Sequence, residues 1–126
     1  MDSRATLVVA VPRNELISLN GRGHYMAVHR QTAALVDRGH MTARSARLPP
    51  FTEPVRLDVF VHYPAVARRR DVSNLMGTVK PLVDGFTRAG LLPDDDDAHL
   101  HGPFLHPAPE GVLRPAVGLL STLADA

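Results

Sequence analysis

Apolar and polar residues follow two different periods along this chain, and the changes of period mark its elements. The run "ATLVVAVP", from Ala5 to Pro12, is β-branched and ended by proline, and it predicts a buried strand. A Gly-punctuated loop at Asn20 to Gly23 leads into a helical pattern. There Tyr25, Val28, Thr32 and Leu35 recur on one face, with Arg30, Asp37 and Arg38 off it. Gly39 is the expected end of that helix, and "TARSARLPPFTEP" reads as a loop marked by Pro49-Pro50. The stretch "VRLDVFVHY" alternates cleanly, with Val55, Leu57, Val59 and Val61 on one side and Arg56, Asp58, Phe60 and His62 on the other. That is the pattern of a half-buried strand.

A second helix follows. Leu75, Val79, Leu82, Val83 and Phe86 form its apolar stripe, while Ser73, Gly77, Lys80 and Asp84 share the opposite face. Ser73 or Asn74 is suited to capping its start and Gly90 to the position just past its end. Pro81 removes one ladder bond, so a kink or an irregular first turn is expected. "HLHGPFLHP" and "VLRPAVGLLST" predict two shorter strands with a turn at Pro107 to Gly111. The order β-α-β-α-β-β implies an α/β (α+β mixed) fold, a single domain over residues 1–126 with one mixed sheet and helices packed on it.

Composition narrows the setting. At 126 residues with 44% hydrophobic and 21% charged positions, the chain has the balance of one globular core. No apolar run approaches the roughly 20 residues of a membrane span, and the N-terminal stretch lacks the length and cleavage site of a secretory signal. The absence of cysteine excludes disulfide and thiolate chemistry and makes a cytoplasmic location the expectation.

Charge changes the picture more. Residues 1–70 carry eleven Arg against five acids, net +6, whereas residues 71–126 carry three bases against eight acids, net −5. A basic half attracts polyanions even where the overall charge is near neutral. Thirteen of the fourteen bases are Arg and the one Lys is Lys80, which hints at a role for a compact ammonium.

The sign changes inside "RRRDVSNLMGTVKPLVDGFTRAGLLPDDDD", Arg68 to Asp97. Arg68, Arg69 and Arg70 suit backbone phosphates, bound without regard to sequence and more weakly in salt. Aspartates suit Mg²⁺, which takes oxygen ligands and completes its shell with water and substrate phosphate. Such an ion makes hydroxide at neutral pH, and a nearby Lys stabilises the pentavalent phosphorane. Asp71 and the cluster Asp94 to Asp97 stand at opposite ends of the helix, and they converge only if the cluster folds back along it. The plain alternatives are a solvated acidic loop, surface arginines, and a Lys80–Asp84 pair at i, i+4. His99, His101 and His106 fit no compact zinc spacing, and the aspartates match no EF-hand loop. On residues alone a metal-dependent phosphodiesterase leads.

The ordered set "RRRDVSNL…VKPLVDGFTRAGLLPDDD" resembles the RusA family of Holliday junction resolvases, with a weaker likeness in "LISLNGRGHYMAVHRQTAAL". The resemblance implies a RusA-like domain: a homodimeric, Mg²⁺-dependent endodeoxyribonuclease, Mn²⁺ serving as well, that cuts four-way DNA junctions or other branched DNA in recombination and repair. It assigns Asp71, Lys80 and Asp95 to catalysis and Asp71, Asp94 and Asp95 to the metal. Ser73, Asn74, Asp84 and Asp96 become supporting residues, and Arg68, Arg69, Arg70 and Lys80 contact DNA. One position departs from the family pattern, because Ser73 stands where the second Asp of D-x-D-N is expected. The segment between Asn74 and Lys80 is also about three residues longer than in the shorter family members. A catalytically weak protein that binds branched DNA is therefore the alternative.

Overall fold

The computed structural model describes residues 4–12, 25–62, 75–108 and 117–125. The elements are β1 (Arg4–Val11), α1 (Tyr25–Ala46), β2 (Val55–His62), α2 (Met76–Arg88), β3 (Leu100–Pro107) and β4 (Val117–Asp125), in the expected order. They build a mixed four-stranded sheet in the order β1-β4-β2-β3. β4 runs antiparallel to both β1 and β2, while β2 and β3 are parallel and α2 crosses between them. β3 and β4 follow one another in sequence but are not neighbours, because β4 inserts between β1 and β2.

Alternation decides which face of the sheet is covered. Leu7, Val9 and Val11 of β1, Val55, Leu57, Val59 and Val61 of β2, and Leu123 of β4 are all buried in one core cluster. The same cluster contains Leu35 and Ala43 of α1 and Val79, Leu82, Val83 and Phe86 of α2, so both helices lie on this face. On the other face Arg4, Thr6, Val8, Ala10 and Arg56 are exposed. The expectation of a buried β1 is thus corrected to a half-buried one. A β-branched run does not reveal whether both faces of its sheet are covered, and here the helices cover only one.

α1 does not end at Gly39 but continues through "TARSA" to Ala46. Gly39 serves instead as a point of close approach. A Cβ there would stand 2.2 Å from the backbone oxygen of Leu82, and one on Gly85 would stand 2.3 Å from that of Val36. The two glycines therefore let the α1 and α2 backbones meet. Arg47, with φ 51, takes the left-handed position that ends the helix. The expected loop accordingly begins at Arg47, and its Pro49-Pro50 pair lies outside any element.

α2 starts at Met76 with Leu75 in the capping position and no side-chain cap hydrogen bond. That corrects the expected cap, and Ser73 and Asn74 themselves lie outside the described residues. Pro81 is buried within a helix that continues past it to Arg88. The irregular turn falls at Leu75, in 3-10 geometry.

Candidate active site

The apolar stripe of α2 fixes what the helix offers to solvent. With Val79, Leu82, Val83 and Phe86 turned into the core, Lys80 and Asp84 are left exposed one turn apart on the same side. At the end of the helix Gly90 adopts φ 83, as its position suggests. The Gly90 N–H donates to the Thr87 carbonyl at 3.0 Å and the Leu91 N–H to the Phe86 carbonyl at 3.1 Å. These two bonds form a Schellman turn, which sends the chain back across the helix end. Leu91 and Leu92 are buried, and the Phe51 N–H donates to the Leu91 carbonyl at 2.9 Å, which anchors the link.

The acidic run is ordered by its own turn. The Asp95 N–H donates to Asp94 Oδ1 at 2.7 Å. The N–H groups of His99 and Leu100 donate to the Asp96 carbonyl at 3.1 and 2.8 Å. The Val55 N–H then donates to the His99 carbonyl at 2.9 Å and docks the turn on the start of β2. The run therefore folds back beside α2 before entering β3.

This return brings Lys80, Asp84 and Asp95 together. With Val83, Leu100, Gly102 and Pro103 they line a small cleft of about 40 Å³ between α2 and the start of β3. Asp84 lies beside Asp95 in this cleft, and its proximity holds the Asp95 carboxyl above the ordinary carboxylate range, with partial loss of water and the neighbouring Asp94 adding to the effect. Two facing carboxylates repel each other, so a cation between them would be favoured. An ammonium opposite two oxygen donors matches the needs of phosphoryl chemistry.

A second group of donors lies on the same loop. One ligand atom each from Asp94, Asp96 and His99 falls within 4.8 Å of the others, an arrangement compatible with a divalent metal. His99 Nδ1 is 2.5 Å from Asp96 Oδ1. That hydrogen bond raises the His99 imidazolium above its usual value and lowers the Asp96 carboxyl below its own. A metal on His99 would therefore compete with a proton. Asp94 thus falls with this group, whereas Asp95 faces Lys80 and Asp84.

No protein-family model matches this chain, and no curated protein matches it.

Asp71, Arg68, Arg69, Arg70, Ser73 and Asn74 lie outside the described residues, so the described part of the site is its helix and acidic-loop half. Within that half Asp84 takes a larger part than the supporting role its sequence position implies. Its i, i+4 spacing to Lys80 is visible in the sequence, but the partner that matters is Asp95. The three histidines do not converge. His99 joins the acidic loop, His101 is exposed in register with Arg56, and His106 Nε2 lies 2.9 Å from Asp58 Oδ1 on the open sheet face. The Asp58 contact has no sequence signal of its own, because it needs the parallel pairing of β2 and β3. The alternation of "VRLDVFVH" nevertheless places Arg56 and Asp58 together on one face.

A larger groove, of about 450 Å³, lies between β1 and α1 and is lined by residues such as Val8, Met41 and Ser45. Among the described residues no ionisable side chain lines it, so they offer no means of activating water or stabilising a phosphorane there. Among the described residues no helix is long and apolar enough to cross a membrane.

Proposed function

We propose that this protein is a metal-dependent, structure-specific endodeoxyribonuclease that hydrolyses phosphodiester bonds in Holliday junctions or other branched DNA, as the resemblance to the RusA family implies. The observation that carries the reading is the cleft in which Lys80 faces Asp84 and Asp95. Asp95 and Asp84, with Asp94 adjacent, would hold Mg²⁺ or Mn²⁺, and Asp71 would complete the set from the preceding segment. When bound, the ion supplies charge neutralisation at the phosphate and acidifies a water. Lys80 offsets charge that develops on the phosphoryl oxygens. Arg68, Arg69 and Arg70 would hold the DNA backbone. Paired nicks across a four-way junction call for two copies of the site, which a twofold homodimer provides.

The Asp84–Asp95 contact bears on the departure at Ser73. The carboxylate that Ser73 lacks has a counterpart in Asp84, one turn from Lys80 and in the same cleft as Asp95. This favours an active enzyme over a protein that binds branched DNA without cutting it. Nicking of a synthetic four-way junction in Mg²⁺ or Mn²⁺ tests the proposal. Cleavage is expected in either metal and is abolished by Asp95→Asn, with junction binding retained. Cleavage in chelator, or none in both metals, would refute it, and junction binding without cleavage would select the binding protein.

A further inference from the structure

The helices cover one face of the sheet, and the other face is open from Arg4 and Arg56 to Phe104 and His106, although His62 at its far end is buried. Strand pairing arranges that face in rows. Arg4 pairs with Ala124, Ala124 with Arg56, and Arg56 with His101, so two arginines and a histidine occupy one level across four strands. The next level runs through Thr6, Thr122, Asp58 and Phe104, and the one after through Val8, Leu120, Phe60 and His106.

The β2–β3 half of this face is preorganised. Arg56 donates to Asp58 from Nε at 3.0 Å and from Nη2 at 3.2 Å, and its guanidinium lies 4.4 Å from the centre of the Phe104 ring. His106 bonds the same Asp58 carboxylate at 2.9 Å and stacks on Phe60 at 4.9 Å with the rings 25° apart. Asp58 therefore steadies two flat groups side by side, about 7 Å apart along β3. Phe104 nevertheless remains 40% exposed, and so does the His106 side chain. A large exposed aromatic held by an ordered network is a prepared contact surface rather than a packing residue.

Charge and shape indicate the occupant. The described charged side chains of the face are Arg4, Arg56 and Asp58, with His101 and His106 beside them, which favours a polyanion. Two copies packed face to face would bury both arginines, while the one acid among these side chains is already engaged by Arg56 and His106. A duplex keeps its base faces stacked inside, whereas an unpaired strand offers them to aromatic planes. The platform also adjoins the cleft, because Gly102 and Pro103 line the cleft and Phe104 follows them on the same edge strand.

We infer that the open sheet face binds an unpaired DNA strand, with bases stacking on Phe104 and His106 and phosphates lying along the Arg4–Arg56–His101 row. The choice of DNA rests on the nuclease reading. Strands that open at a branch would pass over the β3 edge from the platform into the cleft.

Fluorescence anisotropy with a labelled oligo(dT) of about twelve nucleotides tests this in chelator, where cleavage cannot contribute. Phe104→Ala and His106→Ala are each expected to weaken binding by about fivefold or more, while Phe104→Tyr keeps it. Arg56→Ala should lower the slope of log affinity against log salt by about 0.7, the loss of one phosphate contact on a single strand. Equal affinity in wild type and both Ala variants would overturn the inference. So would tighter binding of oligo(U) RNA, or a dimer in sedimentation that Phe104→Ala dissociates. Junction cleavage separates the two readings. Phe104-dependent oligonucleotide binding without cleavage supports the platform and removes the nuclease. Cleavage with oligonucleotide binding indifferent to Phe104 and His106 does the reverse.

Discussion

Asp84 on α2 and Asp95 on the acidic loop meet in one cleft, with Lys80 on the same wall as Asp84. The nearness of Asp84 pushes the Asp95 carboxyl above its ordinary range. At neutral pH the pair is under electrostatic tension that a metal ion would relieve.

Replacing Asp84 with Asn should expose that tension. The folded-state value of Asp95 is raised above the ordinary 3.8, so the stability it contributes is present at acid pH and lost as pH rises through the raised value. In Asp84→Asn the Asp95 value should fall, and stability at pH 7 should rise by less than about 1 kcal/mol, because both groups are exposed. Mn²⁺ affinity should fall at the same time. Carboxyl NMR titration, thermal denaturation and Mn²⁺ titration read the three effects. An unmoved Asp95 titration would show that Asp84 is not its partner.

His99 and Asp96 offer a contrasting pair. His99 is raised from 6.5 and Asp96 lowered from 3.8, each chiefly by its hydrogen bond to the other. The histidine's contribution is present below its unfolded value and lost as pH rises through the raised one. The aspartate's is present above its unfolded value and lost as pH falls through the lowered one. The ion pair is therefore complete at mildly acidic pH and fades at both ends. Histidine NMR should show His99 titrating above 6.5 in the native protein and returning towards 6.5 in Asp96→Asn. If a divalent ion uses this cluster, its affinity should rise with pH as the His99 proton leaves. A pH-independent affinity would assign the ion to Asp84 and Asp95 alone.

Lys80 is exposed and outside the core, so Lys80→Ala should leave thermal stability nearly unchanged. Under the nuclease reading it should lower junction cleavage by about 10²–10³-fold, the effect of removing one transition-state donor. Single-turnover cleavage at saturating enzyme isolates that step from DNA binding. Wild-type rates in this variant would remove Lys80 from catalysis.

Much of the fold is legible in the sequence because its signals are local. Alternation in "VRLDVFVH" marks β2 and assigns its faces except at His62, which is buried, and the stripe Leu75 to Phe86 with Gly90 behind it marks α2 and its end. The same stripe, by spacing alone, puts Lys80 and Asp84 together on the outer side of the helix. What the sequence misleads on depends on partners distant along the chain. Gly39 has the look of a helix terminator, yet its role is set by Leu82, which no local pattern around Gly39 indicates. The buried reading of β1 fails because the helices cover only one face of the sheet, which no local pattern in β1 indicates. The pairing of Asp84 with Asp95, and of Asp58 with His106, likewise needs the turn after α2 and the parallel β2–β3 register.

The glycine contact gives a test of how the fold positions the site. A Cβ at Gly39 would lie 2.2 Å from the Leu82 oxygen and 2.9 Å from both its carbonyl carbon and Cα. All three are backbone atoms of α2, so no side-chain rotation relieves the clash and the helices must move apart. Gly39→Ala should lose about 1–3 kcal/mol from this overpacking, even though Ala by itself favours a helix by up to about 1 kcal/mol. The separation would also shift Lys80 and Asp84 relative to Asp95, because the acidic loop is docked on β2 by the bond from the Val55 N–H to the His99 carbonyl. Mn²⁺ affinity should therefore fall in this variant at temperatures where it remains fully folded. Ser45→Ala, on an exposed part of the same helix, is the control and should change neither property. A Gly39→Ala protein with unchanged melting temperature would show that α1 and α2 do not meet backbone to backbone at this point.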